Sequence, residues 1–168
     1  MIDFSVLTLY HGTNVRFQTI DLHKAKPFKD FGKGFYLTTN YKQAENWAKQ
    51  KGHFNRKAYV YCYSISDFSI RNFKILELLT YDVRWVDFIA RSRMNGLETD
   101  YDLIYDRMAD NTYKNLSDVL VKYMQKKVSA ADVVSEIKWK YSAADQYCFK
   151  TERAVECLKL QQVIEIKI

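Results

Sequence analysis

Two places in this 168-residue chain set side-chain-free backbone beside a residue able to touch a ligand. One is Tyr10-His11-Gly12-Thr13. The other is Gly32-Lys33-Gly34-Phe35-Tyr36, where two of the chain's five glycines fall within three positions. Glycine lets backbone turn tightly or be approached closely, because no Cβ stands in the way. Imidazole offers a donor and an acceptor near neutral pH, and an aromatic face can hold a flat ring. Each residue also has a plainer reading: His11 as a hydrogen-bonded strand histidine, Tyr36 as core, Trp47 as part of an apolar helix face, the glycines as bounds of a turn. His23 and His53 have no ligand-like neighbours, so no metal site is expected. No phosphate-cradling P-loop and no GxGxxG occurs.

The elements that must position these residues follow from periodicity. Residues 6–11 read as a strand ending at Gly12, and 13–33, with Pro27 and several lysines, as a loop crossing the surface. Phe35–Thr38 is a short strand. Asn40 then caps a helix, with Gln43 completing a capping box and Tyr41, Ala44, Trp47 and Ala48 on one face. "KAYVYCYSI" (57–65) is the strongest strand, rich in aromatic and β-branched residues. Further strands are expected at 68–76, 101–105, 145–151 and in the closing "QQVIEIKI". Helices are expected at 80–94, at Ser117–Lys127 and Ser129–Lys138, and as a turn or two at "ERAVECLK". The fold class is α+β with a largely antiparallel sheet and flanking helices, in a single domain spanning 1–168.

Composition narrows the partners. Hydrophobic residues make up 48% and aromatic residues 15% of the chain, enough for a sizeable core. No apolar run reaches the roughly 20 residues that span a bilayer, and no secretory signal is read at the start. Cys62, Cys148 and Cys157 show no CxxC pairing and read as buried reduced thiols, which points to the cytoplasm. The net charge of +6 is uneven: residues 1–84 hold 13 Lys and Arg against 7 Asp and Glu, and the remainder 13 against 13. The half with both glycine sites therefore favours anionic partners, a phosphate-bearing cofactor or nucleic acid among them.

His11-Gly12-Thr13, Gly34-Phe35-Tyr36-Leu37-Thr38 and an aromatic eleven positions beyond Tyr36, Trp47, together resemble the ADP-ribosyltransferase superfamily, closest to its diphtheria-toxin and poly(ADP-ribose) polymerase branch. "QYCFKTERAVECLKL" also resembles a bacterial family of small uncharacterised domains in that superfamily. The resemblance implies a split sheet and a substrate, NAD, whose nicotinamide leaves through an oxocarbenium-like transition state. It implies that Tyr36 and Trp47 sandwich the nicotinamide and that the Gly12 backbone bonds its carboxamide. His11 would bond ribose hydroxyls, Thr38 would bond ribose or support His11, and Thr13 completes the first motif. No metal is implied.

The third family element, a strand glutamate, has its counterpart at Gln146, which keeps hydrogen bonding but lacks the charge. Asp106, Asp110 and Glu152 are other acids available to serve, whereas Asp145 should face away in a regular strand. Restoring the charge by Gln146→Glu is expected to raise NAD hydrolysis. Lys24, Lys26 and Lys29 could meet the NAD diphosphate, and the turn with Asp106, Arg107, Asp110 and Asn111 could line the acceptor side. The expected activity is transfer of a single ADP-ribose to a protein or nucleic-acid acceptor, toxin-like or regulatory, with a neutralising partner protein as a further expectation. The alternatives are an inactive binder of NAD or ADP-ribose on the same fold, and a basic nucleic-acid-binding module that uses its tyrosines and phenylalanines for stacking.

Overall fold

The tyrosine-rich segment forms β3 (Tyr59–Ile65), the middle of a three-stranded antiparallel sheet ordered β1-β3-β7, with β1 at Thr8–Thr13 and β7 at Leu158–Glu165. The computed structural model describes residues 4–66, 73–107, 116–138 and 145–168. A second sheet is ordered β2-β6-β5-β4, from β2 (Phe35–Leu37), β4 (Ile75–Leu78), β5 (Leu103–Arg107) and β6 (Asp145–Phe149). Its pairings are antiparallel except β4 with β5, which run parallel. The protein is α+β, with two mostly antiparallel open sheets and several helices.

Strand alternation sorts the layers. Tyr59, Tyr61, Tyr63 and Ile65 of β3 meet Leu37, Leu103, Tyr105, Tyr147 and Phe149 of the second sheet in a shared apolar core. The intervening Val60 and Cys62 pack against Ala44 and Ala48 of α1 (Tyr41–Gly52) on the opposite face. The outer face of the second sheet, through Leu76, Ile104 and Cys148, packs on α2 (Val83–Asn95), α3 (Leu116–Met124) and α4 (Ala130–Lys138). A central strand buried on both faces explains the near-continuous apolar run of β3.

The caps follow local chemistry. Asn40 accepts from the Gln43 N–H at 3.2 Å, Asp82 opens α2 by accepting from Trp85, and Ser129 with Asp132 opens α4. These bonds satisfy first-turn N–H groups that have no intrahelical partner. A short α5 (Glu152–Val155) precedes β7. The closing strand begins at Leu158 rather than at Gln161, because pairing with β3, which shifts register between Cys62 and Tyr63, holds an edge strand whose own alternation is weak. β4 covers only the end of the expected 68–76 strand; residues 67–72 lie outside the described residues. Among the described residues no helix is long and apolar enough to cross a membrane.

β5 starts two residues later than its apolar pattern suggests, because Asp102 joins three elements instead. Its carboxylate accepts from the Lys74 N–H (2.9 Å), Thr151 Oγ1 (2.7 Å), Arg153 Nε (3.0 Å) and Arg153 Nη2 (2.9 Å). Burial pushes this carboxyl up, but the Arg153, Thr151 and Lys74 bonds outweigh it and hold it below the usual range. Asp102→Ala is expected to lower stability by about 2–3 kcal/mol, read from the urea midpoint, because it strands several donors at once.

Candidate functional site

The two sheets meet where Tyr10 and Thr38 exchange backbone bonds of 2.8 and 3.0 Å. Tyr10 thus directs its N–H and C=O away from β3, and Gly12, two residues on, does the same. A continuing ladder would set Gly12 opposite Tyr36. Instead the imidazole of His11 takes the Tyr36 carbonyl, Nδ1 to O at 2.7 Å, and the strands part. The His11 ring lies against Phe35 (4.4 Å between centroids, 28°) and edge-on to Phe17. Burial, reinforced by the Lys51 charge and only partly opposed by the Tyr36 bond, lowers its pKa to about 4. The ring is therefore neutral at pH 7. A carbonyl partner places the hydrogen on Nδ1, which leaves Nε2 as an acceptor.

Gly12 has a packing reason to be bare beside the one expected. A Cβ there would stand 1.9 Å from the Ala44 carbonyl oxygen, so the missing side chain lets α1 lie directly on β1. Its carbonyl accepts from Lys51 Nζ at 2.9 Å, and its N–H stays on the unpaired side of the strand. Thr13 is buried and accepts from the Val15 N–H. The Lys51 ammonium is depressed by burial and by the charges of Lys29 and Lys26 in the 13–33 loop. Lys24 is exposed and pairs with Asp21.

Tyr36 is held from two sides. Its hydroxyl donates to the Gly32 carbonyl (2.7 Å) and accepts from the Phe31 N–H (3.0 Å), and its ring runs parallel to Phe31 (6.1 Å, 7°). Gly32 makes the return possible with a left-handed φ of 71°. Trp47 stands half-buried on α1. Thr38 is buried, and its hydroxyl donates to Asp145 Oδ1 (2.8 Å) and accepts from the Asn40 N–H. Asp145 also accepts from the Thr39 N–H at 2.8 Å, which leaves Gln146 facing the other side of β6, as alternation requires.

Gln146 is buried on the face it shares with Cys148, the cross-strand partner of Tyr36. Its Nε2 donates to Asp30 Oδ2 at 3.0 Å, and Asp30 Oδ1 accepts from Arg93 Nε of α2 at 2.5 Å. Asp106 lies in register opposite Gln146 and accepts from Trp85 Nε1 at 2.9 Å. Burial raises the Asp106 carboxyl well above its ordinary range; the Trp85 bond opposes this, Asp30 adds to it, and the neighbouring Gln146 amide opposes it again. Of the acids considered from sequence, Asp106 is thus beside Gln146, Glu152 is exposed on α5, and Asp110 lies outside the described residues, as does Asn111. Asp30 and Arg93 escaped the sequence reading. Their signal was Asp30-Phe31 inside a stretch taken for surface loop, where an apolar residue follows an acid directly before a glycine; Phe31 is fully buried.

Asp106 permits a stability test. Because its folded pKa is raised, its contribution falls as pH rises above the ordinary carboxylate range. Asp106→Asn keeps an acceptor for Trp85 and removes the ionisation. The variant's melting midpoint is expected to gain on wild type from pH 5 to pH 8; a constant difference would mean the acid is ordinary. Burial also raises the Cys148 thiol to about 12, so it is an inert core group. Among the described residues no group of three or more His, Cys, Asp or Glu is placed to hold a metal ion.

No curated protein and no solved structure matches the chain. The model of one family, described as a protein of unknown function (DUF3990), matches residues 7–160, and the chain belongs to that family.

Proposed function

We propose that this protein is an NAD-dependent mono-ADP-ribosyltransferase, a pentosyltransferase that releases nicotinamide and passes one ADP-ribose to a protein or nucleic-acid acceptor. The observation that carries the reading is the parting of β1 from β2 just past Tyr10 and Thr38, with a neutral His11 bonded to Tyr36 at 2.7 Å where the ladder ends. In this reading His11 Nε2 accepts from a ribose hydroxyl, and the Gly12 N–H, on the side of β1 away from β3, bonds the carboxamide oxygen. Tyr36, its ring fixed by Phe31 and Gly32 before substrate arrives, flanks the nicotinamide together with Trp47. Preorganised groups of this kind need no rearrangement as charge develops.

Lys26, Lys29 and Lys51 supply the positive field for the diphosphate. Lys51→Met is expected to raise KM for NAD about tenfold with little change in kcat, and the gap from wild type should narrow as salt screens the field. Equal KM values at low salt would remove Lys51 from the site.

Incubation with labelled NAD tests the whole reading. Nicotinamide release, with a protein or nucleic acid gaining the mass of one ADP-ribose, is expected; no binding and no release would overturn it. The second reading, a non-catalytic binder of NAD or ADP-ribose, is favoured by the uncharged Gln146 and its bond to Asp30. It predicts thermal stabilisation by NAD with no nicotinamide released. The nucleic-acid module has less support, since Tyr59, Tyr61, Tyr63, Tyr105 and Tyr147 are core residues rather than stacking platforms.

A further inference from the structure

Gln146 has two chemically different ends, and the transferase reading above needs one of them turned to the substrate. An amide oxygen can accept from a ribose hydroxyl as a carboxylate oxygen would, and an amide nitrogen cannot. Nothing in a glutamine by itself selects the orientation, so a neighbour must.

That neighbour is Asp30. Only acceptor atoms face Gln146 from it: Oδ2 lies 3.0 Å from Gln146 Nε2, while Oδ1 is taken by Arg93 Nε at 2.5 Å. The pair is nearly sealed, with 11% side-chain exposure for Asp30 and 14% for Arg93, and Gln146 itself is 4% exposed. A guanidinium behind the carboxylate holds it in place and occupies its other oxygen, so the oxygen facing Gln146 serves as an acceptor. The nitrogen end of Gln146 is thereby fixed toward Asp30, which leaves Oε1 for another partner. The flanking chain locks the arrangement: Phe31, next to Asp30, is buried against Tyr36, and Lys150 Nζ bonds the Phe31 and Lys33 carbonyls at 2.5 and 2.7 Å.

We propose that Asp30, backed by Arg93, is a positioning residue that fixes the Gln146 amide with its oxygen as the acceptor for the nicotinamide ribose, and that the same carboxylate excludes glutamate from position 146. This rests on the transferase reading. A glutamate there would set a second carboxylate about 3 Å from Asp30 and across the strands from Asp106, where like charges cannot all ionise. The sequence-based expectation that Gln146→Glu raises hydrolysis is therefore reversed for the single variant. Exchanging the two groups avoids the conflict. An asparagine at position 30 can keep its oxygen on Arg93 and donate its amide nitrogen to a glutamate at 146, so the bond survives with its direction inverted.

The test compares wild type, Asp30→Asn, Gln146→Glu and the double variant. It follows nicotinamide release from NAD for kcat and KM, and melting midpoints from pH 5 to pH 8. Asp30→Asn is expected to lower kcat about tenfold with KM near wild type, as loss of a correctly oriented acceptor predicts. Gln146→Glu should lose kcat as well, with a midpoint deficit that widens as pH rises and the crowded acids are asked to ionise. The double variant should recover both, with kcat at least tenfold above either single variant. Additive losses, or an Asp30→Asn variant with wild-type kcat, overturn the positioning role and leave the transferase reading standing. A wild-type protein that neither binds nor cleaves NAD overturns that reading, and the acceptor role with it.

Discussion

His11→Ala is expected to reduce nicotinamide release from NAD by roughly 10²–10³-fold while the protein stays folded. The size follows from what the ring does in the proposed site. Its Nδ1–H is spent on the Tyr36 carbonyl, so Nε2 is held by the protein and not by the substrate. Alanine removes the ribose acceptor and the wedge between β1 and β2 together. The stability loss should be smaller, about 1–2 kcal/mol, for one unpaired carbonyl and the lost contact with Phe35. A urea midpoint on the same samples separates the two effects; activity that survives in a folded variant would remove His11 from the chemistry.

The same variant carries a pH signature. The folded imidazole titrates at about 4 against an ordinary 6.5, so between those values the unfolded chain binds a proton that the folded one refuses. The His11 contribution to stability is therefore complete above pH 6.5 and lost as pH falls toward 4. Asp106 tilts the curve the other way but is present in both proteins, so the difference between wild type and His11→Ala isolates the histidine. That difference should shrink on acidification; an unchanged difference would mean His11 titrates normally.

Gly12→Ala should be the most damaging glycine-to-alanine change in the molecule. The new Cβ would sit 1.9 Å from the Ala44 carbonyl oxygen and 3.0 Å from the Ala48 nitrogen, both backbone atoms of α1, which cannot rotate aside. α1 would have to lift from β1 and uncover Ala44, Ala48, Val60 and Cys62. Overpacking in cores generally costs 1–3 kcal/mol, and contact with rigid helix backbone puts this case at or beyond ~3 kcal/mol. Chemical denaturation without any ligand is the measurement. A loss below about 1 kcal/mol would show that the helix yields, and would return Gly12 to a purely ligand-facing role.

What could be read from the chain divides along the range of the forces involved. The Asn40 cap, the apolar runs of β3 and β6 and the opposite facing of Asp145 and Gln146 depend on neighbours within a few residues, and all could be read in the linear order. Asp30 could not, because its partners Arg93 and Gln146 lie 63 and 116 residues away, and the intervening glycines and lysines mimic an exposed loop. Asp102 was hidden for the same reason, sitting where a strand pattern had begun while its bonds go to Lys74, Thr151 and Arg153. Gly12 was legible as a special position, but its packing against Ala44 was not, since an absent side chain does not say which surface fills the space.

The backbone tie at Tyr10 and Thr38 makes those two amides natural reporters of anything seated across both sheets. Each N–H is bonded to the other residue's carbonyl, so deuterium enters only when the sheets separate locally there. A molecule gripping both sides would hold that seam shut and slow isotope uptake at Tyr10 and Thr38 together, while protons within α4, on the far layer, keep their own pace. Two peptides in a mass spectrum would thus report occupancy even from a compound the protein never converts.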